Sequence, residues 1–141
     1  MEAPERVRLP EGAAAVLDRH ARTDAPREAC GVLIGRVADG LCDVFELIPG
    51  RNRATSADRY ELDPEDFVAA DARATGRAME VVGFYHAHPR GPDRLSRIDQ
   101  DQAWPGYVYL LVCPEIGSGS VVSAWLQPAA GAAFFRLTII S

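Results

Sequence analysis

The chain contains no lysine: all fifteen of its basic side chains are arginine. It therefore offers no ε-amine for isopeptide attachment to itself. Positive charge is also in the minority, with twenty acidic residues leaving a formal net charge of −5. A nucleic-acid binder needs a basic face for phosphates, and this balance argues against one. No apolar run approaches the ~18 residues that a membrane span requires. The opening Met1-Glu2-Ala3-Pro4-Glu5-Arg6 lacks the charged-then-apolar pattern of a secretory leader. Cysteine is sparse and odd in number, at positions 30, 42 and 113, so a disulfide framework is not expected. Cys30 and Cys113 sit in apolar runs and read as small, reduced core residues. Also missing are an internal repeat, a low-complexity tract, a Gly-rich phosphate loop and a Ser-His-Asp arrangement. These absences lead to the expectation of a cytoplasmic chain with no membrane or nucleic-acid partner.

What is present suits one domain spanning residues 1–141, long enough to bury a single core. Pro10 to about Arg22 reads as a first helix, with Ala13, Val16, Leu17 and His20 at helical spacing. His20 reads as a structural histidine. Strands are expected at Arg27–Gly35, Leu41–Ile48, Arg59–Leu62, Val81–His88, Tyr107–Cys113, Ser120–Gln127 and Ala133–Ile140. Asp39-Gly40 suits a tight turn. A second helix opens at Asp63-Pro64-Glu65-Asp66 and ends at Gly76, with Phe67, Val68, Ala70 and Ala74 as its apolar stripe. Direct strand-to-strand connections favour an α/β fold with a curved mixed sheet flanked by helices.

The chemistry concentrates in Val81-Val82-Gly83-Phe84-Tyr85-His86-Ala87-His88-Pro89. Its β-branched and aromatic residues mark a buried strand. Side chains alternate along a strand, so His86 and His88 point the same way, their Cα atoms about 6.5 Å apart. Both imidazoles can then reach one metal ion at about 2.0–2.1 Å. Ser96-Arg97-Ile98-Asp99 follows a turn-rich loop and reads as a helix start, with Ser at the cap and an acid three residues on. Two imidazoles and one carboxylate, with a fourth position for water, make the ligand set of a hydrolytic zinc site. Glu28, at the mouth of an apolar strand, either lies in solvent or faces that site, because burying an unpaired carboxylate is costly.

His86-x-His88-Pro89, seven residues, then Ser96-x-x-Asp99 resembles the motif of the JAMM (MPN+) metalloproteases. The likeness is to their short prokaryotic members. Pro26-Arg27-Glu28-Ala29-Cys30-Gly31-Val32-Leu33-Ile34-Gly35 is similar to the family segment bearing the catalytic glutamate. Asn52, Arg59-Tyr60-Glu61-Leu62-Asp63-Pro64 and Tyr107 to Val112 extend the likeness over residues 10 to 125. Ala87 stands where many relatives have Ser, and its side chain should point away from the metal. The resemblance implies one zinc ion (Zn2+) per chain on His86, His88 and Asp99. It implies Glu28 as general base, Ser96 as oxyanion donor, and Asn52 beside a groove for a substrate tail, although Asn52 equally suits the cap of a turn. The implied activity is hydrolysis after the C-terminal Gly-Gly of a ubiquitin-like or sulfur-carrier protein. A non-catalytic scaffold and a zinc hydrolase of small amides are the alternatives. Arg90, Asp93, Arg94 and Arg97 read as solvated loop charges.

Overall fold

The apolar runs pair into one mixed sheet of seven strands that closes on itself. The computed structural model describes residues 3–141, so Met1 and Glu2 of the stretch read for a leader lie outside it. In chain order the elements are β1 (Arg6–Arg8), α1 (Ala13–Asp24), β2 (Cys30–Ala38), β3 (Leu41–Gly50) and α2 (Pro64–Gly76). Then come β4 (Glu80–Ala87), α3 (Arg97–Gln102), β5 (Val108–Pro114), β6 (Ser120–Leu126) and β7 (Phe135–Ile140). Around the sheet the order is β1, β3, β2, β4, β5, β6, β7, with β1 parallel to both β3 and β7. Among the described residues no helix is long and apolar enough to cross a membrane.

Two helices cover the two faces of this sheet. Leu17 and Ala21 of α1 pack with Leu33, Val82, Tyr85, Leu110 and Leu126. Ala70 and Ala74 of α2 pack with Val32, Ile34, Val81, Phe84 and Tyr109. The alternation expected for β2 is therefore present. In β4 it is interrupted: Leu33 faces Gly83 but Ile34 faces Val81, leaving Val82 as a bulge. Beyond the bulge Tyr85 and Ala87 turn toward α1, and Phe84 joins the α2 side. Ala87 thus points away from His86, as anticipated.

Several expectations need correction. β1 was not foreseen. α1 starts at Ala13, because Gly12 holds φ of 82° and the Ala13 N–H closes a turn on the Pro10 carbonyl at 3.1 Å. β2 begins at Cys30, which leaves Glu28 just ahead of the sheet. Arg59–Leu62 forms no strand; only a bridge between Asn52 and Leu62 survives there. Val68, assigned to the buried stripe of α2, is 65% exposed. The start of α2 is as expected, with the Asp63 carboxylate accepting the Glu65 N–H at 2.8 Å.

Candidate metal centre

Four side chains from three separate stretches of the chain meet beside the end of β4. Donor atoms of Glu28, His86, His88 and Asp99 all lie within 4.8 Å of one another, and all four residues are buried. His86 comes from β4, opposite Cys30 of β2. His88 lies one residue past the strand, its N–H still bonded to the Val112 carbonyl at 2.9 Å. Asp99 comes from the first turn of α3, where Ser96 Oγ accepts its N–H at 3.0 Å and its Oδ2 accepts the Ser96 N–H at 2.9 Å. This reciprocal cap is the one read from the sequence, with Asp in the place usual for Glu.

The same Asp99 Oδ2 lies 3.1 Å from His86 Nε2 and 3.0 Å from His88 Nε2. The Pro92 carbonyl can only accept, so His88 Nδ1 donates to it, at 2.9 Å. A protonated His88 then donates from Nε2 to the Asp99 carboxylate, whereas a neutral ring turns an Nε2 lone pair toward the cluster. Burial disfavours charge on His88, yet its bonds to Asp99 and Pro92 win and hold its pKa above the ordinary histidine value. Burial likewise opposes ionisation of Asp99, but His86, His88 and the Ser96 N–H hold its carboxyl far below the usual range. Burial lowers the His86 pKa and outweighs the opposing pull of Asp99.

A fit to a metal ion rests on the polar atoms left over. Glu28 Oε1 and both nitrogens of His86 are buried with no hydrogen-bond partner; the His86–Asp99 approach is close but out of line. Each such group costs about 1–3 kcal/mol if nothing satisfies it. Two imidazoles and two carboxylates are the donor types that borderline divalent ions take. The cluster therefore fits a metal ion. Burial pushes the Glu28 carboxyl up to about 7; His88 tempers the rise, and the Asp99 and Asp58 carboxylates reinforce it.

Ser96 is half-buried and lines a recess of about 360 Å³ with Pro26, Glu28, Asp58, His88 and Arg90. A second, apolar recess of about 370 Å³ is lined by Tyr60, Leu62, Phe67, Phe84, Trp104 and Tyr109. His88 lines the first recess and Phe84 the second, the residues two after and two before His86 in the chain. Asn52 makes four hydrogen bonds, all to the chain itself: Nδ2 to the Glu28 and Arg59 carbonyls, Oδ1 from the Ala54 and Glu61 N–H groups. Two of these bonds fix the backbone on either side of Tyr60, which lines the apolar recess. Tyr60 stacks on His86, a contact with no signal in the sequence because an irregular loop carries it there. His20 bonds Tyr85 and Asp24, outside the cluster. Arg90, Asp93, Arg94 and Arg97 are exposed.

A closed mixed sheet with this buried cluster places the chain in a known class: it belongs to the prokaryotic homologs of the JAB domain, whose model matches residues 10–127. Among particular proteins, it is 39% identical over 94 residues to a desampylase of Haloferax volcanii, covering 65% of this chain and 66% of that one. It is 31% identical over 113 residues to the Lys-63-specific deubiquitinase BRCC36-like of Mus musculus, covering 66% of this chain but only 39% of that one. The matched part is thus under two thirds of either relative. The solution structure of protein DSY2949 from Desulfitobacterium hafniense superposes with a TM-score of 0.81 at 26% identity, covering 96% of this chain and 91% of that one.

Proposed function

We propose that the chain is a zinc metallopeptidase that hydrolyses the bond after the C-terminal Gly-Gly tail of a ubiquitin-like or sulfur-carrier protein. The convergence of Glu28 with His86, His88 and Asp99 carries this reading. The names of the relatives, desampylase and deubiquitinase, support a ubiquitin-like partner. Three buried thiols support a reducing compartment, and we infer a cytoplasmic activity.

His86, His88 and Asp99 would hold the ion. When bound, zinc supplies Lewis acidity that makes water a better nucleophile and polarises the scissile carbonyl. The chain's own groups do the rest. Glu28 sits beside the ligands with a free buried oxygen and a pKa near neutrality, which suits a base that takes the proton of the attacking water. It then delivers that proton to the departing amine. Ser96 Oγ already accepts the Asp99 N–H, so its own hydroxyl hydrogen is free to donate to the developing oxyanion. One such donor is typically worth about 2.7–4 kcal/mol. The apolar recess along Tyr60 and Trp104 receives the extended tail and favours a peptide over a small amide. The intact cluster favours catalysis over a scaffold.

Carriers extended beyond Gly-Gly, incubated with enzyme and followed by mass spectrometry, test the reading. Loss of the extension is expected, abolished by a chelator and restored by Zn2+. Enzyme carrying one zinc per chain that trims no carrier would sink the substrate class. Glu28→Gln is expected to retain zinc and lose turnover by at least about 100-fold, as for a base. Asp99→Ala should lose both, and full zinc content in that variant would remove Asp99 from the ligand set.

A further inference from the structure

The two histidines of the cluster are braced differently. His88 has the usual device: its Nδ1 donates to a carbonyl, that of Pro92, at 2.9 Å. His86 has none, for its Nδ1 is buried without a hydrogen-bond partner. A ring free to turn about χ2 would scatter its donor atom. What lies flat against it is Tyr60, with centroids 4.4 Å apart and planes inclined by 22°.

Tyr60 itself sits on irregular backbone between Asn52 and Leu62, so something must hold it. The Asn52 amide does. Its Nδ2 donates to the Arg59 carbonyl at 3.2 Å and its Oδ1 accepts the Glu61 N–H at 3.0 Å. Those are the residues on either side of Tyr60. The same Nδ2 donates to the Glu28 carbonyl at 2.9 Å. Arg27 grips the loop further, donating to the carbonyls of Asn52 and Ala54. One amide therefore ties together the backbone of Glu28 and the backbone carrying Tyr60.

We propose that Tyr60 is the positioning residue for His86, fixing the imidazole plane by stacking in place of an Nδ1 hydrogen bond, with Asn52 clamping Tyr60 in register with Glu28. The inference rests on the metal site proposed above and gives that site a brace outside its ligand set. Stacking needs the ring and not the hydroxyl, so Phe should replace Tyr60 without loss. An aliphatic side chain of similar size should not.

The test measures Zn2+ affinity by competition with a chromophoric chelator, and the visible absorption spectrum of the Co2+-loaded protein. Tyr60→Leu is expected to weaken Zn2+ binding by roughly 10–100-fold, as loss of a ligand's outer support does, and to alter the Co2+ bands. Tyr60→Phe should restore wild-type values of both. Asn52→Ala, which frees the loop but leaves the ring, should move both readings in the direction of Tyr60→Leu. Melting temperatures of the metal-free variants separate a lost brace from a lost fold. Wild-type affinity and spectrum in folded Tyr60→Leu, or equal losses in Tyr60→Phe, would overturn the assignment. Should Tyr60→Leu not fold, an unchanged Asn52→Ala overturns it. A wild-type protein that takes up no Zn2+ would overturn the metal site, and this brace with it.

Discussion

A single oxygen, Asp99 Oδ2, accepts the Ser96 N–H and faces both histidines of the cluster. Such concentration of roles at one atom is possible because the first turn of α3 and the histidines at and just past the end of β4 meet in one cluster. The residue scale also explains why the three thiols take no part. Burial pushes Cys30 and Cys42 up to about 12 and Cys113 up to about 11, and adjacent acids add to the rise. The thiolate is the reactive form, so all three are expected to be slow toward an aromatic disulfide reagent at pH 8 in the folded protein. Three equivalents should react promptly after denaturation; prompt reaction of a native thiol would contradict their burial. Cys30 and Cys113 were legible as core residues from their apolar neighbours. The stacking of Tyr60 on His86 was not, because nothing local specifies where an irregular loop comes to rest.

At the scale of elements, β4 and its bulge decide which way the chemistry faces. Gly83 sits at that bulge against β5, where a Cβ would lie 2.0 Å from the Val108 carbonyl oxygen. Backbone cannot step aside as a flexible side chain can. Gly83→Ala is expected to cost about 1–3 kcal/mol or more. Gly119→Ala, with nothing within 4 Å, should stay within about 0.5 kcal/mol. Denaturant unfolding of both variants checks the contrast, and equal stabilities would remove the close approach of β4 to β5. Long apolar runs such as Val81–His88 and Tyr107–Cys113 announced their strands, and Asp63-Pro64 and Ser96-x-x-Asp99 announced helix starts. β1, at three residues with Val7 as its buried member, is too short to carry a period. Arg59–Leu62 has strand-like composition, but the Asn52 amide takes the Arg59 carbonyl and Glu61 N–H that a ladder would need.

Over the whole molecule, the cluster weighs on stability as well as function. Glu28 keeps its proton to about 7 when folded but releases it near 4.5 in the unfolded chain. Between those values the native state holds the extra proton, so its stabilising share is complete below 4.5 and fades as pH rises through 7. The metal-free protein should therefore lose stability from pH 5 to pH 8, by at most on the order of 3 kcal/mol from this group. Glu28→Gln should flatten that slope. Parallel unfolding curves at the two pH values measure it, and an unchanged slope would assign the proton elsewhere.

The reciprocal cap at Ser96 and Asp99 has a consequence for descent. The carboxylate proposed to hold the ion also caps α3, so losing the metal role does not release position 99 from the helix start. A copy of this gene drifting toward a purely adhesive role could shed its imidazoles freely. It would still be selected to keep Asp or Asn at position 99, leaving a lone acceptor as the fossil of an abandoned trade.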